Sequence, residues 1–142
     1  MESIVVDANK FFAAFIKKGI VHELLFSGKF KPIGPEKLSD EVKKHKEDIA
    51  EKSGMKSEDV QLAIELLEPE FKIFKRELYS DKLNEAERLS PHSKDVEYFA
   101  LALKSGFSIW SNEKDFKKQS EVKIFLTKEL KEFLDENSSE SE

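Results

Sequence analysis

The chain has 142 residues, 39% of them hydrophobic, which is enough for one domain with a packed core and too few for two. It contains no Cys, which excludes disulfides, thiolate metal sites and cysteine nucleophiles together. The net charge of −5 argues against a nucleic-acid partner, but residues 135–142 (DENSSESE) hold four acids and no base, which leaves 25 acids against 24 bases elsewhere. If metal neutralised four further carboxylates, the remaining surface would carry about +3 on the same count. No apolar run approaches the ~18 residues of a membrane span, and the start, Met1 to Asp7, lacks the basic region of a signal peptide. A soluble, cytoplasmic protein with no membrane association is expected.

In chain order, Ser3–Val6 is a short β-branched apolar run that stops at Asp7, and its lack of alternation predicts a buried parallel strand. Phe11, Phe12, Phe15 and Ile16 follow at helical spacing with Gly19 as the stop, and a second short helix is expected over 20–26. Pro32 makes the strand expected over 30–33 an edge or irregular one. Pro35 opens a helix over 36–53, with Leu38, Val42 and Ile49 on one face and Gly54 closing it. Ser57 reads as an N-cap ahead of Glu58 and Asp59, leading a helix through Leu67 that Pro69 ends. A strand over 71–74, a helix over 77–89 and a loop at Pro91 come next.

Asp95 opens a helix with Val96, Phe99, Ala100 and Leu103 facing inward, and Gly106 ends it. Strands are expected over 107–110 and 122–126, with a loop over 111–116. Thr127 caps a last helix through Leu134, and residues 135–142 read as an acidic disordered tail. Strands alternating with helices predict one α/β domain over residues 1–134, a three-layer α/β/α sandwich with a mostly parallel sheet.

Ligands of such folds bind beyond the carboxyl ends of the strands. Asp7 ends the first strand, Asp95 stands at the mouth of the helix before the fourth, and Glu113 and Asp115 lie in the loop after it. Glu41 sits one position before Val42, at the edge of the buried face of its helix. Gathered carboxylates repel one another, and a hard divalent cation removes that repulsion. Oxygen-only ligands favour Mg²⁺ or Mn²⁺ over zinc. A metal held this way can activate water and stabilise charge on a phosphodiester. Each acid also has a plainer reading: Asp95 as a helix cap, Asp7 as a turn residue, Glu41 as solvated surface, Glu113 and Asp115 as a polar turn. Their shared place at the same ends of the elements is what points to a site.

Val5-Val6-Asp7-Ala8-Asn9 resembles the opening motif of PIN domains, and Ser39-Asp40-Glu41-Val42 is similar to the segment that carries the family's second acid. Lys94-Asp95 through Leu103 looks like the helix that carries the third, and Ile109 to Phe116 resembles the closing motif. The resemblance runs in order from Ile4 to about Leu134, with Glu113 where Asp is commoner. It implies a metal-dependent endoribonuclease with Asp7, Glu41, Asp95, Glu113 and Asp115 as catalytic metal ligands. Asn9 and Ser111 would be polar neighbours that orient them. Small stand-alone members are often toxins paired with an antitoxin protein and commonly form homodimers, so those partners are expected beside the RNA substrate.

Lys114, Lys117 and Lys118 flank the acidic loop and are candidate RNA-backbone contacts, whereas Lys43–Lys46 reads as a solvated face, with a phosphate-backbone contact as the minority reading. His22, His45 and His92 show no zinc spacing, and surface or cap roles suffice for them. Trp110 is expected in the core beside the site, and an exposed Phe among Phe11, Phe12 and Phe15 would suit a partner groove. Two other functions compete. A catalytically inactive PIN-like RNA- or protein-binding module is favoured by Glu113. A receiver-like regulatory domain is disfavoured, because Lys75 and Arg76 follow the 71–74 strand where an acceptor Asp would stand.

Overall fold

The structure is a computed structural model that describes residues 3–16 and 19–140. The expectations for the side chains of Phe15 and Ile16, and for residues 141–142, lie outside the described residues. Five parallel strands, β1 (Ser3–Val6), β2 (Lys31–Pro35), β3 (Lys72–Phe74), β4 (Ile109–Trp110) and β5 (Ile124–Phe125), form one sheet in the order β3-β2-β1-β4-β5. Among the described residues, eight α-helices flank it, as the α/β/α reading expects. β1 is central and fully buried at Ile4, Val5 and Val6, which is why its residues do not alternate.

The chain order moves outward from β1 to β3 on one side and from β4 to β5 on the other. The strand order therefore reverses between β1 and β4, where open parallel sheets leave a crevice at the strands' carboxyl ends. Val6 pairs in register with Trp110, so the next residues, Asp7 and Ser111, emerge side by side at that crevice. Helix α1 (Ala8–Ile16) starts at once after Asp7, and α2 (Ile20–Leu25) follows.

Several elements differ from the reading of the sequence. β2 is interior, not an edge. Its pairing with β3 begins at Ile33, one residue past Pro32, and Pro35 ends the strand and opens the next helix. Within β2, a Cβ on Gly34 would lie 2.6 Å from Leu38 Cδ2, so glycine lets the following helix sit close on the sheet.

The helix expected over 36–53 is two, α3 (Glu36–Lys44) and α4 (Lys46–Ser53). They break at His45 (φ −98°, ψ 12°), and Leu38, Val42 and Ile49 are all buried as expected. Helix α5 (Ser57–Leu67) starts at its expected cap residue, with Lys56 in the cap position; Ser57 bonds Glu47 Oε2 at 2.6 Å and does not cap it. The 77–89 helix is two short 3₁₀ turns followed by α6 (Leu83–Leu89).

Helix α7 (Val96–Ser105) buries Tyr98 through Ala102, a wider set than one face, because β1, β2 and β4 lie beneath it and α6 packs against it. Gly106 (φ 78°) closes it in the left-handed conformation. The last helix, α8 (Thr127–Glu140), continues past Leu134, so residues 135–140, read as disordered, are helical. Lys131 Nζ to Asp135 Oδ2 at 2.8 Å spans the point where the helix was expected to stop. Its first turn is tied back by Glu129 Oε1, which accepts from the Leu126 N–H at 2.9 Å. Thr127 Oγ1 instead accepts from Trp110 Nε1 at 3.0 Å.

Candidate metal centre

Asp7 is 7% exposed and held at both oxygens. Oδ1 accepts the Asn9 backbone N–H at 2.6 Å and Oδ2 accepts the Ser111 hydroxyl at 2.5 Å. Ser111, itself 0% exposed, also accepts the Glu113 N–H at 3.1 Å, which fixes the direction of its donated proton. Each Asp7 oxygen keeps a lone pair for a further partner. Burial holds the Asp7 carboxyl above the usual carboxylate range; the bonds from Ser111 and Asn9 and the nearby Lys10 oppose it, and the charge of Glu113 adds to it. Lys10 is also buried (7% exposed), and burial lowers its pKa while Asp7 raises it.

Glu41 on α3 and Asp95, the residue before α7, face the same groove, which has a volume of about 580 Å³. Burial raises both carboxyls, and the charge of Asp7 raises each further. On Glu41 the chief opposing influence is Lys37, whose Nζ lies 3.6 Å from Oε1. Lys37 Nζ also donates to the carbonyl of Lys94. Tyr98 lies beneath the cluster, its hydroxyl 3.5 Å from Glu41 Oε2. Burial and then the charges of Glu41, Asp7 and Asp95 push its phenol well up, so it stays a neutral donor. Asp95 occupies the N-cap position of α7 but makes no capping bond, so capping does not account for its carboxylate.

The five acids expected to act together fall into two groups. Glu113 and Asp115 stand outside the groove's lining. With His92 they form a separate trio whose ligand atoms lie within 4.8 Å of one another, the one such group among the described residues. Asp115 is engaged there by His92 Nε2 at 3.7 Å and by Lys118 at 3.2 Å. Asp7, Glu41 and Asp95 are spaced more widely, as three mutually repelling carboxylates in a partly buried groove must be. The trio at the rim is half-exposed and Asp115 there pairs with Lys118, whereas burial and the charge of neighbouring acids raise the carboxyls of the groove.

Asn9 serves through its backbone N–H, while its side chain is exposed. Lys117 is committed to Glu129 at 2.6 Å, Lys118 to Asp115, and Lys114 lines a different cleft beside Thr127. The groove is lined by Lys37, Lys44, Lys52 and Lys94, of which Lys44 belongs to the run read as a solvated face and the others are not singled out by the sequence as RNA contacts. Of these, Lys44, Lys52 and Lys94 make no ion pair among the described residues. Phe12 and His45 share the lining with ring centroids 5.6 Å apart, so the helix break brings a histidine to the groove. Trp110 is fully buried, as expected.

The donor set is oxygen only and strongly acidic, with its most constrained carboxylate fixed by two donors, which fits Mg²⁺ or Mn²⁺. No curated protein matches the sequence. Among solved structures, the crystal structure of VapBC2 from Rickettsia felis bound to a DNA fragment from their promoter is similar in fold. It has a TM-score of 0.63 and 15% identity, over 89% of this chain and 98% of that one. The profile of the PIN domain family matches residues 5–134, nearly the whole chain. With the opening, helical and closing motifs in order along the matched residues, the chain belongs to the PIN domain family, a family of nucleases.

Proposed function

We propose that the protein is a Mg²⁺- or Mn²⁺-dependent endoribonuclease whose centre is Asp7, Glu41 and Asp95. The observation that carries the reading is the Asp7 carboxylate, buried at the switch point, anchored at both oxygens and facing two further acids of raised pKa. A divalent ion held there supplies Lewis-acid polarisation and charge neutralisation at a phosphodiester. Asp7 positions it from the floor, Glu41 and Asp95 from the two walls, and Ser111 keeps Asp7 from rotating. Tyr98 offers Glu41 a hydrogen bond from below. Lys44, Lys52 and Lys94 hold the backbone of the bound strand along the groove, in place of Lys114, Lys117 and Lys118. Glu113 adds negative charge beside Asp7 from the rim.

A protein partner of the antitoxin kind and a homodimer belong to the same proposal, the former supported by the likeness in fold to VapBC2. Among the described residues no helix is long and apolar enough to cross a membrane. The test is incubation of structured and single-stranded RNAs in Mg²⁺, Mn²⁺ or EDTA with wild type and the Asp7→Asn, Asp95→Asn double variant. Cleavage that requires metal and vanishes in the variant is expected. Tight RNA binding without cleavage in Mn²⁺ would replace the enzyme with a binding module.

A further inference from the structure

Lys37 occupies an unusual place for a groove lysine. It reaches Glu41 one turn along α3 and, across 57 residues of sequence, the carbonyl of Lys94, the residue before Asp95. Its ammonium therefore stands between the two walls of the acidic groove, with the pair half-buried at 27% and 26% side-chain exposure. It lowers the pKa of both Glu41 and Asp95. Three carboxylates without a cation would repel one another across a partly dry space, and Lys37 relieves that repulsion where a divalent ion would do so more completely.

We propose, on the reading of the groove as a metal centre, that Lys37 is a resident cation that competes with the divalent ion for Glu41. The two positive charges cannot share one carboxylate at close range without repulsion, so entry of the ion displaces the ammonium. The displaced side chain keeps its hydrogen bond to the Lys94 carbonyl and so has only to release Glu41. The lysine thereby holds the walls together in the metal-free protein and sets the ion concentration at which the centre fills.

The alternative is that Lys37 positions Glu41 for the metal, and the two roles give opposite signs. Calorimetric titration of Mn²⁺ into wild type, Lys37→Met and Lys37→Arg separates them, because no turnover is needed. Competition predicts that Lys37→Met binds Mn²⁺ more tightly, roughly tenfold for removal of one partly screened charge, and that Lys37→Arg stays near wild type. Weaker or unchanged binding by Lys37→Met, in a protein whose circular dichroism matches wild type, overturns the competition. Wild-type binding with no tightening by Lys37→Met would sink this inference alone. No Mn²⁺ binding by any of the three would remove both this inference and the metal-centre reading.

Discussion

The floor and the rim of the crevice are made of the same residue types and behave differently because of what holds them. At the floor, Asp7 is buried, receives one backbone and one hydroxyl donor, and among the described residues has no ion pair within 4 Å. At the rim, Asp115 is 40% exposed at its side chain and meets both His92 and Lys118. The rim groups gather within 4.8 Å of one another, which Asp7, Glu41 and Asp95 do not do as a set, yet Asp115 there is already paired with Lys118. On the proposed function, proximity alone is therefore not what makes the centre. Burial with fixed geometry is what the proposed centre rests on.

The largest expected effect comes from Asp7→Asn. Losing a charged ligand at the floor should lower RNA cleavage by roughly 10³-fold, beyond the 10–100-fold that loss of an orienting neighbour brings. Asp115→Asn should lower it far less, and equal losses in a gel-based assay would erase the distinction between floor and rim. Ser111→Ala comes next, with Mn²⁺ affinity falling on the order of 10–100-fold because Asp7 Oδ2 loses its donor. Unchanged affinity in a titration would show that the Asn9 N–H suffices.

A pH dependence sharpens the comparison further. Asp7, Glu41 and Asp95 have folded pKa values raised first by burial, so the folded state binds their protons more tightly than the unfolded chain does. Their contribution to stability is complete below the unfolded carboxyl pKa of about 4 and is lost as pH rises through the raised folded values. In metal-free buffer, thermal melts of wild type should therefore fall relative to Asp7→Asn as pH is raised from about 4 toward neutrality. Saturating Mn²⁺ should reverse the order, stabilising wild type by about 2.7 kcal/mol at a hundred times Kd. Parallel curves with no crossing would show that the floor carries no unrelieved charge. The smallest effect is expected from Lys117→Ala, whose exposed pair with Glu129 is worth ~1 kcal/mol or less. RNA binding should survive it but weaken in Lys44→Ala, Lys52→Ala, as fluorescence anisotropy at fixed salt would read.

Much of the floor was legible in the sequence. An apolar run stopping at Asp7, and another followed by Ser111, are local signals, and parallel pairing of β1 with β4 makes them neighbours. Asp95 was legible as the mouth of a helix, although the absence of its capping bond is visible only in three dimensions. The division between groove and rim was not legible, because it depends on where the 111–118 loop turns after β4. Nor was the break at His45, where no Gly or Pro interrupts the chain. That break carries Lys44 and His45 to the groove, so the lysines that line it are not the ones nearest the acidic loop in sequence. Lys37 sat at i,i+4 spacing from Glu41 in plain view, but its contact with the Lys94 carbonyl is long-range. Pro32 misled because only its fixed ring was considered, while the neighbouring strand begins one residue later.

The location of the ion tests the account most directly. Anomalous scattering from crystals grown in Mn²⁺ should place it in the groove, bound by Asp7 and shared with Glu41 and Asp95, with Lys37 withdrawn from Glu41. A peak confined to His92, Glu113 and Asp115 would contradict the account and make the rim the centre.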